Sequence, residues 1–114
     1  MEELKPLKSY LLTHMIDYIP KSTITRYIIS KETGNVTISA YDKGEILKAK
    51  VLAFDKLIHI IDGAAEVIID DKTTHLKAGQ IMLIPAHSPN TIRANQRFKM
   101  LSTVIKSGYE EVNI

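Results

Sequence analysis

The chain has no cysteine, and that one absence removes disulfide frameworks, thiolate metal sites and thiol catalysis together. It also fits a reducing compartment, and a cytoplasmic protein is the expectation. No long apolar run exists either. The longest, Ile81 to Ala86, covers six residues and is interrupted by Pro85, whereas a membrane helix needs roughly 20. The start Met1-Glu2-Glu3-Leu4-Lys5 is acidic and unlike a secretory signal, so neither a leader nor a membrane span is expected. An excess of one charge is missing as well: 15 Lys and Arg against 13 Asp and Glu leave a net +2. That is too little to argue for a phosphate backbone, and no nucleic-acid partner is expected. Ser88 and Ser102 sit in no Gly-x-Ser-x-Gly turn, the glycines form no phosphate loop, and there is neither an internal repeat nor a low-complexity stretch.

What remains is the balance of an ordinary globular chain, 45% apolar and 25% charged. Its 114 residues suit a single domain, 1–114, with one core. Helical spacing occurs once, over residues 4–19, where Leu11, Leu12, Met15, Ile16 and Ile19 recur near a helical period before Pro20 stops it. A short helix or turn is expected there, opened by Ser9 or Thr13 as a cap. From residue 22 the pattern changes to short runs rich in Ile, Val, Thr and Tyr: 22–30, 35–41, 47–52, 57–61, 64–70, 73–76, 81–84, 90–94 and 98–106. Turn residues separate them, among them Asp42-Lys43-Gly44, Asp62-Gly63, Asp70-Asp71-Lys72, Lys77-Ala78-Gly79 and His87-Ser88-Pro89. Many short strands without alternating helices predict an all-β sandwich or small barrel. The division expected is an N-terminal segment 1–20, a barrel 21–106 and a tail 107–114, in which Tyr109, Val112 and Ile114 are placed to dock on a neighbouring surface.

Two spacings carry more. From Gly44, the positions Lys50, Leu52, Lys56 and Gly63 follow at the intervals of a motif Gly-x5-His-x-His-x3-Glu-x6-Gly; from Gly79, Pro85, His87, Asn90 and Ala94 follow at those of Gly-x5-Pro-x-Gly-x2-His-x3-Asn. In these frames, and in Ile58-His59-Ile60-Ile61-Asp62-Gly63 and Leu76-Lys77-Ala78-Gly79-Gln80, the chain resembles a small single-domain cupin over roughly residues 36–106. The resemblance implies a double-stranded β-helix of the jelly-roll type. It also implies that the four metal-ligand positions are Lys50, Leu52, Lys56 and Asn90. A protonated Lys has no lone pair, Leu has no donor and Asn offers only an amide oxygen, whereas the family's metals are held by imidazoles and a carboxylate. Neither a metal nor another cofactor is therefore expected at that place.

The same positions are the pocket candidates: Lys50, Leu52, Lys56 and Asn90, with Tyr41. If Lys50 and Lys56 both face the barrel mouth, two ammonium groups stand where a cation would, favouring a carboxylate or phosphate and lowering each other's pKa. Alternation in Leu47-Lys48-Ala49-Lys50-Val51 instead turns Lys48 and Lys50 to water, and that choice stays open. Asn90 either bonds a ligand or caps the turn after Pro89. Thr37, Ser39 and Tyr41 share strand parity, and the half-buried strand rule makes them a solvent-facing row opposite Val36, Ile38 and Ala40 rather than an interior stripe. Glu66, Asp70 and Asp71 read as a charged solvent face on one hairpin. Of the histidines, His59 reads as packed or at a subunit contact, His75 as surface, and His14 as part of the N-terminal segment. His87 occupies a motif glycine position that calls for an unusual φ. The function expected is a metal-free cupin that binds a small molecule in its barrel, an anion if both lysines face it, or presents its barrel as an interaction scaffold, as a homodimer with the strand 98–106 and the N-terminal segment at the contact. The alternatives are a metal-independent isomerase or lyase using Lys50, Lys56 or Tyr41 for proton transfer, and a metal held elsewhere by His87.

Overall fold

The computed structural model describes residues 4–49 and 51–106. Lys50 and the tail 107–114, with Tyr109, Val112 and Ile114, lie outside the described residues. Eight strands follow one another among those described: β1 (Thr23–Lys31), β2 (Gly34–Tyr41), β3 (Ile46–Ala49), β4 (Lys56–Ile69), β5 (Lys72–Lys77), β6 (Ile81–Ile84), β7 (Asn90–Arg93) and β8 (Phe98–Ile105). All pairings are antiparallel and join in one curled sheet, β1-β2-β8-β4-β7-β3, with β5 and β6 also on β4. The expected all-β jelly roll is present.

The turning point is β4. The sequence suggests two strands, 57–61 and 64–70, with a turn at Asp62-Gly63, but the chain runs through as one strand of 14 residues. Its first half pairs with β6 and β8 and its second with β5 and β7, so this strand carries the sheet round the corner. No reversal occurs at Asp62-Gly63; the register against β8 shifts just before it, between Ile60 and Asp62, the usual way a barrel bends a strand. Gly63 sits at φ 72°, and a Cβ built there would collide with the backbone oxygen of Arg97. A side chain is excluded by conformation and by space. The true reversal comes at Asp70-Asp71, both at positive φ (51° and 61°), which matches the two-residue hairpin turn whose twist suits the strands it joins.

Of the short helix or turn expected within 4–19, a turn is what forms. A single 3-10 turn, Leu12–His14, is all that appears, with Leu11 at its start and no side-chain cap from Ser9 or Thr13. Packing explains the outcome, since the segment buries Met15 and Ile16 against Ile28, Ile38 and Ala40 on the outer face of β1 and β2 and leaves Leu11 and Ile19 exposed. Tertiary contact, not a helical face, uses its apolar residues. Three polar contacts hold it down. Lys99 Nζ, on β8, donates to the Thr13 carbonyl (2.6 Å), Arg26 Nη1 donates to the Met15 carbonyl (3.1 Å), and Tyr18 Oη donates to Asp62 Oδ2 (2.5 Å). The Arg97 guanidinium and Lys99 ammonium lie over the Tyr18 ring at 4.5 and 5.0 Å.

Within the barrel a second cluster, including Ile58, Ile60, Val67, Ile92, Phe98 and Met100, is fully or almost fully buried. Tyr41 stacks on Phe98 at 4.5 Å between centroids and closes this apolar floor. Two glycines of similar conformation separate strain from close approach. Gly79 also has positive φ, but a Cβ there meets nothing within 4 Å. Gly79→Ala should cost about 1 to 3 kcal/mol for the backbone conformation, and Gly63→Ala distinctly more, read from denaturant midpoints. Equal losses would remove the close approach to Arg97 as the reason for Gly63.

Candidate functional site

Alternation along β1, β2 and β8 places one set of side chains inside the curled sheet, and that set is polar. Register puts Thr25 opposite Ser39, Tyr27 opposite Thr37, and Thr37 opposite Ser102. These residues, with Asn35, Tyr41, Met100 and Val104, line a cavity of about 260 Å³ that also touches Leu47, Leu52 and Lys56. Thr25 Oγ1 and Ser39 Oγ are 2.9 Å apart. The solvent-facing row expected of Thr37, Ser39 and Tyr41 is thus turned inward. Both faces of β2 are covered, the aliphatic one by the N-terminal segment and the polar one by the barrel, so the half-buried strand rule does not apply.

Lys56 opens β4 and shares parity with Ile58 and Ile60, which are fully buried, and its partner across the sheet is Val104 of the cavity wall. It lines both the main cavity and a smaller one of about 10 Å³, room for a single water-sized group. Burial pushes its pKa below the ordinary lysine range. No carboxylate, thiol or imidazole lines either cavity among the described residues. Lys56 is the one amine among the described residues of both walls, and for it the register implied by the family resemblance holds.

Leu52 belongs to both cavities but lies beyond β3, which ends at Ala49 and not at 52 as the sequence suggests. Its carbonyl accepts from the His87 amide at 2.7 Å, while the Ala86 amide donates to Asp55 Oδ1 at 2.8 Å. Two loops are tied across the mouth by these bonds. His87 stands at φ 64°, the left-handed conformation that its motif position suggests, with its side chain exposed. Asn90 lines the smaller cavity and is buried; its Nδ2 donates to the Ser88 carbonyl (3.2 Å), and its Oδ1 is buried without a hydrogen-bond partner among the described residues. It serves the turn through one end of its amide and leaves an acceptor unsatisfied at the other. Tyr41 is buried beneath the cavity, and that burial raises its pKa to about 12, so the phenol stays protonated at any ordinary pH.

Thr25, Tyr27, Asn35 and Ser102 line the cavity too, although the sequence does not single them out as site residues. The signal for β1 is the alternation Thr23, Thr25, Tyr27 against Ile24, Arg26, Ile28, which becomes legible only once β1 is known to pair with β2. The other acidic and imidazole groups lie apart. Glu66 is not a bare solvent charge: it accepts from Arg93 Nε (2.9 Å) and Asn95 Nδ2 (2.5 Å), with His75 Nδ1 at 3.6 Å. His59 points away from Ile58 and Ile60 on the outer face, and no three His, Cys, Asp or Glu gather among the described residues. The groups described at the cupin ligand positions, Leu52, Lys56 and Asn90, are a hydrocarbon, an amine and a neutral amide, and they do not make the imidazole-and-carboxylate set that holds a transition ion. The chemistry open to this chamber is that of its amine, phenol, amide and hydroxyls.

The family model of ethanolamine utilisation protein EutQ matches residues 18–110. Among solved structures, a conserved protein of unknown function from Streptococcus pyogenes is 25% identical with a TM-score of 0.86, covering 97% of this chain and 95% of that one. A cupin superfamily protein from Desulfitobacterium hafniense is 21% identical with a TM-score of 0.85 over 91% and 95% of the two chains. A putative ethanolamine utilisation protein Q from Salmonella typhimurium is 16% identical with a TM-score of 0.69 over 78% and 73%. No curated protein matches. These likenesses agree with the cupin barrel described above. No helix among the described residues is long and apolar enough to cross a membrane.

A buried lysine whose native pKa is depressed binds fewer protons in the folded than in the unfolded state. Stability from this group therefore rises with pH between the native value and the unfolded value of about 10.4, and its cost is fully present below that window. Lys56→Met should stabilise the protein by about 0.5 to 2 kcal/mol near neutral pH. The gain over wild type should shrink as pH climbs through the window, as measured by urea unfolding at a series of pH values. A variant less stable than wild type at neutral pH would show that the ammonium is well solvated or paired.

Proposed function

The chain belongs to the ethanolamine utilisation protein EutQ family, and from that premise we propose that it binds one compact, polar small molecule inside its barrel, with Lys56 as the cationic contact. The observation that carries this reading is the 260 Å³ cavity, whose one wall is hydroxyl-rich and whose other side ends in a lysine with no acidic partner among the described lining residues. A barrel of this size holds one small ligand. Charge decides its class. The family name points to ethanolamine, but an ammonium ligand finds no carboxylate in the described walls and would face Lys56, so the ligand is neutral or anionic. Lys50 is a second cationic contact if it joins Lys56 at the mouth. Leu52 supplies apolar contact there, Asn90 an amide acceptor, and Tyr41 a hydroxyl donor beneath.

Proton transfer is the second reading. A depressed Lys56 pKa makes a base available nearer neutral pH, and the protonated Tyr41 on the same cavity can act only as an acid. A metal-independent isomerase or lyase would use that pair.

Titration of ¹⁵N-labelled protein with inorganic phosphate, acetate and glycerol distinguishes ligand classes. Shifts confined to β2, β8 and the 51–56 stretch are expected, and Lys56→Ala should weaken binding of the anions by about 1.5 to 3 kcal/mol. Scattered or absent shifts with all three probes would overturn the reading.

We also propose that the barrel works as a homodimer through the outer face of β4, β6 and β8. Leu57 lies opposite Leu83, His59 opposite Ile81, and Leu57 opposite Thr103, so the exposed Leu57, Ile81, Leu83 and Ile105 share one face beyond the reach of the N-terminal segment. Light scattering should give twice the chain mass, with Leu83→Lys monomeric and folded. A monomeric wild type would end this proposal.

A further inference from the structure

We propose that the Lys56 amine captures a carbonyl compound, forming an imine with a short hydroxylated aldehyde or ketone held in the barrel. The inference rests on the reading of the cavity as a binding site and names the substrate class. Three features point to it.

The first is the company Lys56 keeps. It shares its cavities with hydroxyl, phenol, amide and apolar groups, and no carboxylate among the described lining residues holds it as an ammonium. An amine that no carboxylate holds as an ammonium is available as a nucleophile once deprotonated, whereas a salt-bridged one is not. The shift of its acidity caused by burial acts in the same direction.

The second is the neighbouring stretch of the same curled sheet. Ser102 of β8 lies one pleat along from the Lys56 partner Val104, Thr37 of β2 stands opposite Ser102, and Ser39 on the same face of β2 pairs with Thr25 of β1. A row of neutral donors and acceptors suits the hydroxyls of a small sugar-like molecule, and none of them competes with the carbonyl for the amine. The third is Tyr41. Buried and protonated, it can donate a hydrogen bond to a carbonyl oxygen without becoming a nucleophile itself.

The step balances without an outside oxidant or reductant. The Nζ lone pair adds to the carbonyl carbon while the carbon-oxygen π pair moves to oxygen, which takes up a proton. Nζ loses a proton to give the neutral carbinolamine. Departure of the hydroxyl as water, with a proton from a donor, leaves a protonated carbon-nitrogen double bond, and return of the remaining Nζ proton to that donor gives the neutral imine. One water is released for each imine formed, and no net proton or electron is gained.

Trapping with sodium cyanoborohydride in the presence of glyceraldehyde or dihydroxyacetone reads this directly, with intact mass and peptide mapping to locate the adduct. At pH 6 the Lys56 peptide should be labelled measurably faster than the exposed Lys48 and Lys72, since burial favours its free amine. Its rate should saturate with carbonyl concentration as the cavity fills, while Tyr41→Phe slows labelling at Lys56 alone. Lys56→Arg should remove the fast adduct and leave the surface background. Labelling of Lys56 no faster than Lys48 or Lys72 overturns the proposal. If the same compounds still shift the cavity resonances, the binding reading survives and only imine formation fails. If they neither label nor shift the cavity, and phosphate, acetate and glycerol also leave it unmoved, both readings fail together.

Discussion

The structure depends on one constraint: the aliphatic face of the sheet made by β1, β2 and β8 has to be covered from outside. That face, built around Ile28, Ile38 and Ala40, is sealed by Met15 and Ile16 of the N-terminal segment. That cover is fastened by bonds to backbone carbonyls from Lys99 and Arg26, at 2.6 and 3.1 Å, and by the Tyr18 to Asp62 hydrogen bond. Once the hydrophobic burial of these strands is satisfied outside, their other face need not be apolar. Thr25, Thr37, Ser39 and Ser102 then line the barrel without leaving the strands short of buried apolar surface. A barrel sealed only from within would have filled with aliphatic side chains. The polar chamber is therefore a consequence of the outer cover, and the fastening of the N-terminal segment is a condition for the site.

The interior divides accordingly. Ile58, Ile60, Phe98 and Met100 pack the floor to full burial, and Tyr41 lies across the boundary with its ring stacked on Phe98 and its side chain on the cavity wall. Lys56 comes two residues before Ile58 on the same face of β4, so the strand passes from core to chamber within one repeat of its pleat. A lysine at that position is unfavourable for folding alone, since its charged form is partly stripped of water and no described carboxylate compensates for it. A methionine would serve the fold better. Buried polar groups kept against the interest of stability are where function is most reasonably sought, and the buried, unpartnered Oδ1 of Asn90 on the wall of the adjoining cavity is a second group of that kind.

Much of the fold is legible in the sequence because turn chemistry and strand composition are local. The run 81–84 is the observed strand, and most others fall within a residue or two of their expected ends. Expectation and structure part where distant contacts override local signals. Asp62-Gly63 has the composition of a hairpin turn, but the need to bend β4 against β8, with Arg97 pressing on Gly63, puts a register shift just before it and no reversal. The helical spacing over 4–19 is real, but its apolar residues are used instead to cover a sheet that no local window can see. The site shows the same division. Motif intervals locate Lys56, Leu52, Asn90 and the positive φ of His87, because spacing survives when ligands change. Alternation alone points Thr37 and Ser39 to water, because it assigns the apolar face to the core and cannot know that a second cover exists.

The described lining of the cavities holds no imidazole or carboxylate, and the polar space beside Lys56 is there all the same; the two together narrow the chemistry. A cupin that had become a pure scaffold would be expected to let its interior collapse, because an unfilled polar cavity gives up packing contacts with no return. Here a polar cleft of about 260 Å³, open to solvent beside Thr25 and Tyr27, lies next to Lys56, and the two mouth loops are cross-tied through Leu52 with His87 and Asp55 with Ala86. Those ties fix the rim near Lys56 independently of any ligand, which is the preorganisation that binding requires. With no imidazole or carboxylate in the described walls, polarisation of a bound molecule falls to an amine, a phenol and hydroxyls. Such groups can hold an oxyanion, move a proton or condense with a carbonyl. Of these, condensation alone makes use of the nucleophilicity that burial gives Lys56, and the protonated state of Tyr41 supports it.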